Sequence, residues 1–181
     1  MSQHLLETTL DSQSLFKGNF IELQCDTVRL PDGKTAIREY IRHRGAVAVL
    51  ALTDDGQLVL ERQYRHPVGR IFVEIPAGKL DPHETELDCA KRELLEETGY
   101  QADRWTHLGE AHPCIGYANE RIVYFLAEGL RAGTAQLDDG EFVETFLAPL
   151  DQVLEDAANG TISDSKTLVG LFWLDRYLRS R

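Results

Sequence analysis

The sequence predicts an α/β chain in which a mixed sheet lies between helical layers, preceded by a small antiparallel sheet. Three observations predict it. The unbroken apolar run from Gly45 to Leu52, GAVAVLAL, reads as a strand buried on both faces. Residues 85–98 carry apolar side chains at helical spacing on one side and glutamates on another. Strand-like segments then recur and are followed by two helical patterns, an order that suits a sheet covered by helices.

Each element has a local reason. Between residues 18 and 43, alternation in Phe20, Ile21, Glu22 and Leu23, and again in Arg38, Glu39, Tyr40 and Ile41, flanks a Pro31-Asp32-Gly33 turn, which predicts a small antiparallel sheet. The boundary falls there, giving an N-terminal sheet over residues 1–43 and a main domain over 44–181. After GAVAVLAL, Thr53-Asp54-Asp55-Gly56 turns the chain into residues 57–64, so a second hairpin is expected, leading toward residues 72–75. Asp81 and Pro82 mark a turn, a helix follows from about Thr85, and Gly99 suits the position just past its end. Leu87, Ala90 and Leu94 form its core-facing stripe. Residues 105–112, 121–127 and 142–147 read as further strands, and residues 150–158 and 164–178 as closing helices.

Composition narrows the function classes. With 181 residues and 43% hydrophobic content, the chain can bury one core and carry a small appendage. Its net charge of −11, from 19 Lys and Arg against 30 Asp and Glu, argues against a nucleic-acid partner, whose phosphates would be repelled. No run of 18 apolar residues occurs, and MSQHLLETTLDSQSLFKG lacks the layout of a signal peptide. Neither export nor a membrane is expected, and the expected compartment is the cytoplasm. Cys25, Cys89 and Cys114 are odd in number and form no C-x-x-C pair, so they read as reduced structural residues.

The chemistry concentrates between Gly78 and Tyr100, where Glu84, Glu93, Glu96 and Glu97 gather. On a helix, Glu93 and Glu97 share a face and Glu96 lies beside them. Crowded acidic oxygens have two readings: a solvated helix face, or ligands for a hard divalent cation. The spacing separates them. Gly78 to Tyr100 fits G-x5-E-x7-R-E-U-x-E-E-x-G-U, with U a bulky hydrophobic residue, and so resembles the Nudix hydrolases. Tyr100 stands where an aliphatic residue is more usual, a difference of packing rather than of chemistry.

That resemblance implies the Nudix α/β/α sandwich and a metal-dependent hydrolase using Mg²⁺ or Mn²⁺. It assigns Glu93, Glu97 and the carbonyl of Ala77 as ligands, with Glu96 a further ligand, direct or through water. Arg92 becomes the partner that orients a glutamate, the alternative being a surface ion pair. Glu84 either positions another box residue or simply sits at the helix N-terminus. The N-terminal sheet, R-Q-Y-R before the box and I-S-D-S-K-T-L-V-G-L after it are similar to the ADP-ribose pyrophosphatase branch. The branch implies a base in the loop before the last strand, here Glu141 in preference to Glu144, the alternative being solvated loop charges.

Arg65 matches a diphosphate-binding arginine, while Arg38 and Arg42 are either reaches into a neighbouring subunit's cleft or exposed strand residues. Phe20 either stacks on a base or fills a core. Gly116, Tyr117 and Glu120 fit a substrate-side loop, although Ile115 occupies the place of the branch's usual proline and Pro113 lies two positions early. The implied reaction is hydrolysis of ADP-ribose to AMP and ribose 5-phosphate, in a homodimer with exchanged N-terminal sheets. The alternatives are other nucleoside diphosphate sugars, such as GDP-mannose or ADP-glucose, or a non-catalytic nucleotide-binding regulator.

Overall fold

The computed structural model describes residues 2–137 and 139–181, in two compact units. One unit holds the chain up to Arg44 together with Cys114–Arg121; the other holds Gly45–Pro113 and Ile122–Arg181.

The first unit begins with a short turn at Gln3–Leu5 and is built from β1 (Thr8–Lys17), β2 (Glu22–Arg29) and β3 (Thr35–Arg42), paired antiparallel in the order β1-β2-β3. The Pro31-Asp32-Gly33 turn closes β2 onto β3, with Gly33 N donating to Leu30 O at 2.9 Å. β1 is an addition to the sequence reading. Its residues are all exposed, and pairing irregularities between Thr9 and Asp11 and between Ser14 and Phe16 break the period-two pattern. The loop 114–121 joins this unit through the backbone: Ile41 N donates to Tyr117 O at 2.8 Å and His43 N donates to Asn119 Oδ1 at 2.6 Å.

The second unit contains β4 (Ala46–Ala51), β5 (Gln57–Arg65), β6 (Arg70–Glu74), β7 (Ala77–Lys79), α1 (Glu86–Thr98), β8 (Tyr100–Ala111), β9 (Ile122–Ala132), β10 (Val143–Pro149), α2 (Leu150–Ala158) and α3 (Ser165–Leu178). Four strands form a mixed sheet, β7-β4-β9-β8, in which β4 runs parallel to β9 and the other neighbours are antiparallel. Three more form an antiparallel sheet, β10-β5-β6. The expected hairpin between β4 and β5 is therefore corrected. Thr53 N does donate to Gln57 O, but pairing ends at a single Leu52–Leu58 bridge and the strands part into different sheets.

β4 shows why the sheets are covered on both sides. Ala46, Ala48 and Leu50 face one apolar cluster, with Val153 of α2 and Leu171 and Leu174 of α3. Val47, Val49 and Ala51 face the other, with Cys89, Ala90 and Leu94 of α1. This is an α/β/α sandwich with a mixed sheet. Among the described residues, no helix is long and apolar enough to cross a membrane.

Candidate active site

The site is built on α1, whose ends are fixed by its own sequence. Thr85 accepts a hydrogen bond from Asp88 N at the N-cap, and Gly99 adopts a left-handed φ of 75° just past the last turn, its N–H bonded to Leu95 O. A side chain at Gly99 would also meet Ala135 N at 2.7 Å. Cys89, Ala90 and Leu94 anchor the helix in the core, and burial pushes the Cys89 thiol up to about 12, away from reactivity. The opposite side presents the acids.

Arg92 organises three of them. Its Nε and Nη2 donate to the two oxygens of Glu84 at 2.8 and 2.9 Å, while Nη1 donates to Glu93 Oε1 at 2.8 Å and Glu96 Oε2 at 2.9 Å. Nη2 also reaches the Lys79 carbonyl at 3.1 Å. These hydrogen bonds, Arg92's above all, hold the Glu84 carboxyl down to about 2. Glu93 lies directly against the backbone of β7: a Cβ on Gly78 would sit 1.9 Å from its carboxyl carbon, so only glycine leaves room for that carboxylate. Glu97 Oε2 accepts from Ala77 N at 2.9 Å, and Thr145 Oγ1 of β10 donates to the Glu97 carbonyl at 3.3 Å.

Burial raises the Glu93 carboxyl to about 7, against the pull of Arg92. It raises Glu97 and Glu61 as well, each with other carboxylates nearby: Glu61 and Glu93 around Glu97, Glu74 and Glu141 around Glu61. Glu61 is 4% exposed. Beside it, Arg65 Nε and Nη2 bind both oxygens of Glu74 at 2.7 Å, and Lys166 bridges Glu74 and Asp164. Asp164 caps α3 through Thr167, whose hydroxyl accepts from Ile75 N at 3.0 Å, which ties that helix to the segment between β6 and β7.

Among the sequence candidates, Glu93, Glu96, Glu97, Arg92, Ala77 and Arg65 thus share the second unit with a carboxylate-rich centre. Glu141, in the loop before β10, adds to the field felt by Glu61, Glu93 and Glu97. Asp138, three residues before Glu141 in the sequence, lies outside the described residues. Glu144 points the other way: it binds Arg62 at 2.7 Å. Arg38, Arg42, Phe20, Gly116, Tyr117 and Glu120 all fall in the first unit. There Arg38 grips Glu7 at 2.5 and 3.0 Å, Arg42 approaches Glu22 at 3.9 Å, the Tyr117 hydroxyl meets Cys114 Sγ at 3.1 Å, and Glu120 lies 3.8 Å from His43. Phe20 is exposed, and so is Ile115.

Sequence reasoning does not single out Glu61, Glu74 or Lys166. The available signal was a charged residue inside an apolar strand, in Leu58-Val59-Leu60-Glu61. Among the described residues, no three His, Cys, Asp or Glu side chains converge as a ready-made metal centre. In this arrangement the oxygens are turned to Arg92 and to Ala77 N instead. The donor set nonetheless fits a hard divalent cation: it is all oxygen, with Glu97 buried and the Glu93 carboxylate seated in the space left by Gly78.

Residues 42–168 match the NUDIX domain and residues 7–41 the nucleoside diphosphate sugar hydrolase N-terminal domain. The chain belongs to the Nudix hydrolase family. Within it, the chain is 40% identical over 172 residues to the ADP-ribose pyrophosphatase of Bacillus subtilis (strain 168), covering 94% of this chain and 93% of the relative. It is 41% identical over 170 residues to the methanol dehydrogenase activator of Bacillus methanolicus, covering 93% and 92%. A crystal structure of an ADP compounds hydrolase superposes with a TM-score of 0.85 over 97% of this chain and 96% of that one; at 21% identity it speaks for the fold.

Proposed function

We propose that this protein hydrolyses the diphosphate linkage of ADP-ribose, releasing AMP and ribose 5-phosphate. The observation that carries this reading is the Arg92 fork, which holds Glu84, Glu93 and Glu96 beside a buried Glu97 at the strand Ala77–Lys79. Glu93, Glu97 and the carbonyl of Ala77 would hold Mg²⁺ or Mn²⁺, with Glu96 a further ligand, direct or through water. When bound, the cation neutralises phosphoryl charge and acidifies water.

The remaining work falls to the chain. Arg92 keeps the carboxylates aimed, and Gly78 lets Glu93 lie against the strand. Arg65, half-exposed and held by Glu74, is the candidate to receive a phosphate. Glu141 is the candidate to take the proton of the attacking water. A nucleotide-binding module without catalysis would not need the full carboxylate set that this chain keeps.

Other nucleoside diphosphate sugars, such as GDP-mannose or ADP-glucose, are the second substrate reading. It is favoured by Ile115, 84% exposed, which stands at the branch's proline position in the loop 114–121. We further propose a homodimer with exchanged N-terminal sheets, in which Arg38 and Arg42 reach the neighbouring subunit's cleft; Phe20, Gly116, Tyr117 and Glu120 are the further substrate-binding candidates. Leu10, Leu15 and Phe16 of β1 are apolar and exposed, and a small sheet of this kind needs cover.

The test is a panel of ADP-ribose, GDP-mannose, ADP-glucose, dinucleoside polyphosphates and nucleoside triphosphates, each incubated with purified protein and Mg²⁺. Release of AMP and ribose 5-phosphate from ADP-ribose at the highest kcat/KM is the expected outcome. Faster release from another sugar reassigns the substrate, and no release from any compound leaves the binding module.

A further inference from the structure

Glu61 Oε1 is one of two buried side-chain polar atoms, among the described residues, that have no hydrogen-bond partner; the other, Asp26 Oδ1, lies in the first unit. A buried carboxylate oxygen left unsatisfied costs stability, so a strand that carries one calls for an explanation. Charge balance for Lys166 is insufficient, because that ammonium is already bound by Glu74 and Asp164.

Where Glu61 lies supplies the explanation. Along β5, side chains alternate: Leu58 and Leu60 belong to the cluster of α2 and α3, whereas Val59 packs with Cys89, Ala90 and Leu94 of α1. Glu61 is two residues beyond Val59 and therefore shares the face turned to α1. Its lateral neighbours agree. It pairs with Thr145 on β10, which bonds the Glu97 carbonyl, and with Glu74 on β6, three residues before the Ala77 N–H that binds the Glu97 carboxylate. The orphaned oxygen thus sits on the same face as the carboxylate already assigned to the cation.

We infer that Glu61 supplies a further oxygen ligand, direct or through one water, to the divalent cation held by Glu93 and Glu97. The inference rests on the metal-dependent reading above and extends the cation site beyond the 23 positions from Gly78 to Tyr100 to a strand outside the motif.

The experiment uses the full chain and Mn²⁺ alone, with free Mn²⁺ followed by its paramagnetic resonance signal. Wild type, Glu61→Gln and Glu61→Met are compared, the last because a glutamine carbonyl retains some capacity to ligate. Expected is a loss of at least about 10-fold in Mn²⁺ affinity in Glu61→Met, with a smaller loss in Glu61→Gln. The melting temperature of Glu61→Met without metal should be equal to or above that of wild type, because an unsatisfied buried polar group has been removed. Uptake by wild type with unchanged affinity in both variants overturns this inference and leaves the hydrolase reading standing. Variants that melt well below wild type without metal, yet gain the same upward shift when Mn²⁺ is added, assign Glu61 a structural role and likewise overturn it. Absence of Mn²⁺ uptake by wild type overturns both.

Discussion

β1 and β4 are both paired strands, yet every residue of β1 is exposed and every residue of β4 is buried. β4 exists because both faces of the sheet are covered within the chain, by α1 on one side and by α2 and α3 on the other. β1 is held by its ladder to β2 and leaves Leu10, Leu15 and Phe16 in solvent. The contrast separates two kinds of stability. One unit closes its own core and positions its own carboxylates, whereas the other leaves apolar side chains exposed, the surface assigned above to the proposed homodimer.

The sharpest way to test that division is to remove chemistry from the closed unit alone. Glu97→Gln should lower kcat for ADP-ribose on the order of 10³-fold with the circular dichroism spectrum unchanged; near wild-type turnover would remove the site from this helix face. Next in size, Leu94→Ala should cost about 2–5 kcal/mol in urea unfolding, because Leu94 is fully buried between α1 and the sheet. The matching change in the other unit, Phe16→Ser, should move monomer stability by no more than about 0.5 kcal/mol and shift sedimentation toward a smaller species. A stability loss as large as that of Leu94→Ala would break the comparison.

Arg92→Lys comes next. A lysine cannot reproduce the forked contacts to Glu84, Glu93 and Glu96, so Mn²⁺ affinity should fall by about 10–100-fold in a titration. The smallest effect is on acid stability. Glu84 is held at about 2 against an ordinary 4.5, so its contribution is full above about 4.5 and is lost as pH falls toward 2. Glu84→Gln should therefore flatten the fall of melting temperature across that window. Parallel curves for wild type and variant would show that the pairing with Arg92 does not support the fold.

What was legible in the sequence follows the same contrast. The α1 boundaries were readable because the Thr85 cap and the Gly99 turn are local events. β4 was readable because burial on both faces leaves an uninterrupted apolar run. β1 was not, since exposure and two pairing irregularities remove the alternation that marks a strand. The turn at Thr53–Gly56 was visible, but the choice of sheet for β5 was not, because a turn fixes chain direction over a few residues and says nothing of which distant strand pairs next. Glu61, likewise, reads as an ordinary strand residue until β6 and β10 flank it.

The sequence by itself determined the family motif, the core-facing stripe of α1 and the acidic residues it gathers, because helix caps and side-chain periodicity act within a few residues. Only the tertiary structure decided that Glu61 lies near Glu97, that Lys166 bridges Glu74 and Asp164, that Glu144 is turned to Arg62, and that the loop 114–121 belongs with the N-terminal sheet. Burial and long-range strand pairing set these outcomes, and both depend on residues far apart in the chain meeting in space.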